Sequence, residues 1–317
     1  MATYLVTGGA GFIGAHVCSE LLKKGYKVIC LDNLITGNKK NIEELESNPL
    51  FSYLEHDIIK SSPIIDEEIT GIFHLASPAS PNKKSQTSYI NFPIETLLVN
   101  SQGTFNLLNL AKEKNARFLF ASTSEVYGNP LVSPQPETYF GNVNPNGIRS
   151  VYDEGKRFGE AMCMAFFRKF GVDVRIMRIF NTYGDKMQKS DGRVVSDFIN
   201  QALEGKPITV FGEGTQTRSF CFIDDLVGGI ISFMEKPDIA GEVINLGNPV
   251  EYKIIDLAKL VKELTGSNSE IVFEPLPEDD PLQRRPDITK AKNLLGFEPK
   301  VLLEDGLRKT IEYFKSI

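Results

Sequence analysis

Two short stretches carry residue types that do acid–base chemistry together: Thr123-Ser124-Glu125 and, further on, Tyr152-Asp153-Glu154-Gly155-Lys156. A tyrosine and a lysine four apart on a helix share a face, one turn from each other. An ammonium that close to a phenol favours the phenolate, so Tyr152 is suited to take or return a proton near neutral pH. Such a group helps to oxidise a secondary alcohol, provided a hydride acceptor sits beside it. Alone, the pattern also arises in helices where a half-buried tyrosine and a solvated lysine do no chemistry. The elements around the pair decide between these readings.

A hydride acceptor is what the N-terminus is suited to bind. Tyr4-Leu5-Val6 reads as a short apolar strand, followed at once by Thr7-Gly8-Gly9-Ala10-Gly11-Phe12-Ile13-Gly14. Helical spacing then runs through Val17, Leu21 and Leu22 to a stop at Gly25, and a second strand, Lys27-Val28-Ile29-Cys30-Leu31, ends at Asp32-Asn33. Strand, glycine turn, helix and strand, with an acid eighteen residues beyond Gly14, predict a dinucleotide site. The glycines let backbone approach a pyrophosphate seated on the helix N-terminus, while Asp32 accepts hydrogen bonds from the adenosine ribose. Asp32 would repel a ribose 2′-phosphate, which favours NAD over NADP.

Further elements must carry the reactive residues to that site. Phe51-Ser52-Tyr53-Leu54 reads as a third strand, closed by His56-Asp57-Ile58, and Gly71-Ile72-Phe73-His74-Leu75-Ala76 as a fourth. The fourth runs into Ser77-Pro78-Ala79-Ser80-Pro81, whose prolines lack the donor a strand needs. Ligands lie at strand ends in doubly wound sheets, so this loop is a pocket candidate. A long helix is predicted over about 93–114, with Leu97, Leu98, Phe105, Leu107, Leu108 and Leu110 as its apolar set. Arg117-Phe118-Leu119-Phe120-Ala121 reads as a buried strand that delivers Thr123 and Glu125 to its C-terminal end. The helix of Tyr152 extends to about Phe170, and Val174-Arg175-Ile176-Met177-Arg178-Ile179 is another strand. This alternation predicts an α/β protein with a doubly wound, mostly parallel sheet. Past Asn181 the pattern loosens into Gly- and Pro-punctuated pieces with short helices near 196–203, 224–235, 255–264 and 302–314. The expected organisation is a cofactor domain over 1–180. A smaller, partly interleaved substrate-binding region follows over 181–317, with a strand or helix returning to the first domain.

Composition narrows the class. The 317 residues are 41% hydrophobic with a net charge of −6, enough for one large core or a cofactor domain with a smaller companion. Basic residues are interspersed with acids, which argues against a nucleic-acid or membrane-surface partner. No apolar run approaches the length of a membrane span, and Met1-Ala2-Thr3 leads straight into the first strand without a signal peptide. Cys18, Cys30, Cys163 and Cys221 are scattered, as reduced thiols of a cytoplasmic protein would be. His16, His56 and His74 lack the spacing of metal ligands, so no metal is expected.

These motifs, in this order, resemble the extended short-chain dehydrogenase/reductase family of nucleotide-sugar enzymes along nearly the whole chain. Residues 7–14 look like its cofactor fingerprint, Tyr152-x-x-x-Lys156 like its catalytic pair, and Thr123 like its Ser/Thr member. Within the family the likeness points to UDP-glucuronate decarboxylases, the UDP-xylose synthases. It runs through Leu75-Ala76-Ser77-Pro78-Ala79-Ser80-Pro81, Arg178-Ile179-Phe180-Asn181-Thr182-Tyr183-Gly184, Gln216-Thr217-Arg218-Ser219-Phe220 and Asp279-Asp280-Pro281 leading to Arg284-Arg285-Pro286-Asp287.

The resemblance implies a Rossmann-like fold, NAD as cofactor and a UDP-linked uronate as substrate. It also implies a homodimer formed through a four-helix interface, from the helix near 93–114 and the one carrying Tyr152. The implied reaction is transient oxidation at carbon 4, loss of CO2 and re-reduction, with NAD regenerated in each turnover. Tyr152, Lys156 and Thr123 would serve the oxidation, with Glu125, Arg284 and Ser124 as further catalytic positions. Ser124 stands where dehydratases place an Asp, which argues against elimination of water.

Cofactor contacts are implied at Gly8, Gly11, Phe12, Ile13, Gly14, Asp32, Asn33, Asp57, Ile58, Leu75, Ala76, Ser77, Asn100, Tyr152 and Lys156. Substrate contacts are implied at Ser77, Arg149, Asn181, Arg193, Phe211, Arg218 and Arg284, and arginines suit bidentate phosphate binding. Three departures bear on the sugar. The loop 82–88 looks several residues longer than the family's, Glu95 and Leu98 stand where such decarboxylases usually carry lysines, and Asp185-Lys186 replaces the usual Pro-Arg. They leave open another uronate, such as the N-acetylated one. The alternative is a 4-epimerase or 4,6-dehydratase acting on a neutral nucleotide-sugar. Ser124 and Arg284 discriminate against it, because a neutral hexose gives an arginine no carboxylate to meet.

Overall fold

A computed structural model of the chain describes residues 1–277 and 280–317. The first half alternates strand and helix: β1 Thr3–Thr7, α1 Phe12–Lys23, β2 Lys27–Asp32, β3 Phe51–Glu55, β4 Gly71–His74, α2 Pro93–Leu98, α3 Thr104–Lys114, β5 Arg117–Thr123, α4 Ser150–Phe170 and β6 Val174–Ile179. A seventh strand, Val243–Leu246, returns from the second half and pairs with β6. The sheet order is Val243–Leu246, β6, β5, β4, β1, β2, β3, and every neighbouring pair is parallel.

The strands read as continuous apolar runs because both faces of a parallel sheet are covered. Successive side chains of one strand therefore enter different cores. Val6 and Leu119 pack on the face shared with α1, while Leu5, Phe118 and Phe120 pack on the face shared with α3 and α4. The order reverses between β1 and β4, so the C-terminal ends of these strands open a crevice. Parts of the rest of the chain line that crevice: α5 Val194–Leu203, the start of α7 Ile254–Thr265, a parallel pair of Ile208–Phe211 with Ile271–Glu274, and a three-stranded sheet in which Thr217–Ser219 lies between Glu251–Lys253 and Gln283–Arg284. α6 Ile223–Glu235 packs instead beside α1 against the main sheet.

Three local expectations change. β4 ends at His74, so Leu75 and Ala76 leave the sheet and cross beside Gly8, where a Cβ would lie 2.7 Å from the Ala76 nitrogen. The predicted 93–114 helix is interrupted by a π-helical stretch, Val99–Gly103, that contains Asn100; such bulges often re-aim functional side chains. Its apolar set divides: Leu107, Leu108 and Leu110 are buried, but Leu97, Leu98 and Phe105 keep 37%, 40% and 43% of their surface exposed on the outer face. Among the described residues, no helix is long and apolar enough to cross a membrane. All four cysteines are buried and free.

Candidate active site

The glycine turn after β1 is tight for a physical reason. Gly8 has φ of +71°, which a side chain resists, and its carbonyl accepts the Gly11 N–H at 3.0 Å. A Cβ on Gly14 would collide with that same carbonyl, so the helix start can approach only without one. At the end of β2, Asp32 accepts the N–H of Ala10 at 3.0 Å and of Leu34 at 2.8 Å. Burial raises its pKa, and these backbone bonds oppose the shift. Asp32, Asn33, Asp57, Ile58, Ala76 and Ser77 share the wall of a small cleft with Gly8 and Gly11. Asn100 lies behind it: its amide donates to the Ser77 hydroxyl at 3.0 Å and to the Thr96 carbonyl at 2.8 Å, while its Oδ1 is buried without a partner. A glycine cradle with no room for side chains, a carboxylate at the second strand end and an orphaned amide oxygen fit a dinucleotide.

The cleft joins a cavity of about 890 Å³ whose wall includes Phe12, Ile13, Gly14, Leu75, Thr123, Ser124, Glu125, Tyr152 and Lys156. β5 delivers Thr123 as the cap of the one-turn 3-10 helix Ser124–Tyr127, its hydroxyl accepting the Glu125 N–H at 3.2 Å. That hydroxyl also bonds the phenol of Tyr152, which α4 holds 7% exposed. Burial raises the phenol and the Thr123 bond lowers it. The Lys156 ammonium donates to the Ala121 carbonyl at 2.8 Å and stands 5.7 Å from the Tyr152 ring centre. Burial lowers Lys156 to about 7. In the protein alone burial acts on both groups, raising the phenol and lowering the ammonium.

Glu125 is the acidic centre of the sugar end. Burial pushes its carboxyl up, but Arg149 and Arg284 outweigh burial and hold it at about 2. Arg149 bonds it at 2.6 Å from α4's N-terminus, and Arg284 bonds it at 2.9 Å while also donating to Ser124 at 2.9 Å and the Gly128 carbonyl at 2.8 Å. Arg284 therefore sits behind Glu125 and Ser124, not on the cavity wall. Asn181, Arg193, Phe211 and Arg218 do line the cavity. Arg193 is forked onto Asp191 at 2.6 and 2.8 Å, and Arg218 and Arg149 converge on Asp280 at 2.9 and 3.2 Å. Asp279, of the motif before Arg284, lies outside the described residues.

Two residues escaped the spacing argument. Tyr89 stacks on Tyr152, ring centres 4.9 Å apart at 4°, with its hydroxyl buried and unpartnered beside the cavity. Asp153 is buried next to Tyr152, pushed up to about 8 by burial and then by Glu125. Neither follows a spacing rule, and Tyr89 reaches the site only through a loop.

Residues 4–247 match the NAD dependent epimerase/dehydratase family. The chain belongs to that family. Among its relatives, UDP-glucuronic acid decarboxylase 1 of Danio rerio is 52% identical over 310 residues, 98% of this chain and 72% of that protein. UDP-glucuronic acid decarboxylase 5 of Arabidopsis thaliana is 49% identical over 312 residues, 98% of this chain and 89% of that protein. A family structure, UDP-glucuronic acid 4-epimerase from Bacillus cereus in complex with UDP-glucuronic acid and NAD, superposes with a TM-score of 0.87 at 32% identity and covers 99% of both chains.

Proposed function

We propose that this chain is an NAD-dependent decarboxylase that converts UDP-glucuronate to UDP-xylose. The observation that carries this reading is the half-identity to UDP-glucuronic acid decarboxylases along 98% of the chain. Ser124, whose hydroxyl accepts from Arg284, supplies no acid to a leaving hydroxyl, which disfavours loss of water.

NAD would be held by the turn of Gly8, Gly11 and Gly14, by Asp32 at the adenosine ribose, and by Tyr152 and Lys156 near the reacting carbon. When bound, it supplies the oxidising half of the reaction at carbon 4 and, after CO2 has left, the reducing half. Tyr152, bonded to Thr123 and one helical turn from the Lys156 ammonium, would accept the proton of the carbon-4 hydroxyl as the phenolate. A carboxylate β to the resulting carbonyl loses CO2 readily, because the carbonyl takes up the electron pair as an enolate. Carbon 5 would then take a proton from water, and Tyr152 would return its own to the carbon-4 oxygen.

The region after residue 180 contributes Arg193, Phe211 and Arg218 to the nucleotide end, which supports reading 181–317 as mainly substrate-binding. The exposed Ile94, Leu97, Leu98 and Phe105 of α2 and α3, with Phe158 of α4, support a homodimer through a four-helix interface.

The test is to incubate purified protein with UDP-glucuronate, and in parallel with UDP-N-acetylglucosaminuronate, and follow products by mass spectrometry. Loss of CO2 from UDP-glucuronate without net NADH is the expected result. Retained mass with inverted carbon 4 would establish a 4-epimerase instead. Loss from the N-acetylated substrate alone would mean that the pocket is built for a different uronate.

A further inference from the structure

The loop 82–88 borders the cavity, to whose wall it contributes Asn82, Lys83, Lys84 and Thr87. Its base is closed: the Tyr89 N–H donates to the Ser80 carbonyl at 3.0 Å, and Ser80 bridges to Ser88. Beyond that base, Tyr89 stacks on Tyr152. The loop is tied internally by the Asn91 amide, which donates to the carbonyls of Lys83 at 3.1 Å and Ser85 at 2.8 Å. It is also latched to the opposite side of the crevice. The Ser85 hydroxyl donates to the Ser190 carbonyl, and the Asn82 amide to the Gly192 carbonyl and the Asp197 carboxylate, both at 3.3 Å. Gly192, at φ of +81°, fits closely enough that a Cβ would lie 2.7 Å from the Asn82 Cβ. Ser85 and Ser88 are buried. The loop is a built wall.

Charge then assigns it a ligand. A UDP-linked uronate brings two phosphate charges and a carboxylate, yet the arginines of the cavity wall already face acids. Arg149 has Glu125 and Asp280, Arg193 has Asp191, and Arg218 has Asp280. Lys186 has Glu44, and Lys156 is buried beside the Tyr152 ring. Lys83 and Lys84 also line the cavity. Among the described residues Lys83 shows no acidic partner, and Lys84 has only Glu274 at 3.9 Å, with its own side chain 82% exposed. Glu274 is in register with Phe211, which places Lys84 at the nucleotide end of the cavity.

Resting on the reading that the cavity takes a UDP-linked sugar, we propose that 82–88 is a phosphate-binding strap, with Lys83 and Lys84 contacting the diphosphate and Asn82 and Ser85 latching it across the crevice. Two solvent-edged charge contacts together correspond to about a tenfold change in affinity. The experiment is calorimetric titration of the NAD-loaded protein with UDP and with uridine, for the natural chain, Lys83→Gln/Lys84→Gln and Lys83→Arg/Lys84→Arg. The glutamine pair should bind UDP about tenfold more weakly, with a shallower salt dependence and unchanged uridine binding, and the arginine pair should restore UDP. UDP affinity unchanged in the glutamine pair would overturn the proposal. So would equal weakening of UDP and uridine, which would mean the loop shapes the pocket without holding phosphate. UDP binding is read without turnover, so lysine-dependent binding in a protein that releases no CO2 would keep the strap and remove the decarboxylase reading.

Discussion

Burial works against both members of the Tyr152 and Lys156 pair, and each consequence is measurable. Tyr152→Phe removes the proton acceptor, so kcat should fall by about 10²–10⁴-fold with little change in KM, as steady-state assays of CO2 release would show. Lys156 has a folded value of about 7 against an ordinary 10.5. Between these values the unfolded chain binds more protons than the folded one, so this group's contribution to stability rises with pH from about 7 to 10.5. Below that window both states are protonated and the full cost of the buried charge remains. Lys156→Met lacks the titrating group. Its melting temperature relative to the natural protein should be highest near neutral pH and fall toward alkaline pH, while turnover is lost. Parallel melting curves would mean that Lys156 stays charged throughout.

At the scale of elements, the site depends on how closely α4 lies on β5 and on how the strand Gln283–Arg284 meets the turn Ser124–Tyr127. Gly159 of α4 rests on Phe120, where a Cβ would collide with the ring. Gly159→Ala should destabilise the fold by about 1–3 kcal/mol and lower activity as Tyr152 shifts from Thr123. Urea unfolding and kinetics check the two halves separately. Arg284 is 1% exposed and shares Glu125 with Arg149. Arg284→Met strips one partner from a partly buried carboxylate, an expected loss of about 1–3 kcal/mol by urea unfolding. Adding Glu125→Gln should recover part of that loss, because the charge left behind is then gone.

At the scale of the whole molecule, α2, α3 and α4 present an apolar outer face that the chain itself does not cover. Ile94 keeps 61% of its surface and Phe158 48%. The proposed homodimer through this face predicts a dimer for the natural protein in sedimentation velocity and a monomer for Leu97→Glu with Phe158→Glu, since two charges would be buried without partners. A dimer undisturbed by both changes would place the interface elsewhere.

What the sequence by itself determined is the part governed by local geometry. The glycine turn, the acid at the end of β2 and the apolar strand runs are legible because a few adjacent residues set backbone approach, periodicity and burial. The same holds for Tyr152 and Lys156 on one helical face. Tertiary structure decided what spacing cannot encode. Arg284 meets Glu125 across 159 residues of chain, placing it behind the carboxylate and not on the cavity wall. Tyr89 reaches Tyr152 through a loop, and the pairing of Arg149, Arg193 and Arg218 with acids leaves Lys83 and Lys84 as the loosely held cations of the wall. The electrostatics of the Tyr152–Lys156 pair were also beyond spacing, because desolvation depends on everything packed around a group and not on its neighbours in sequence.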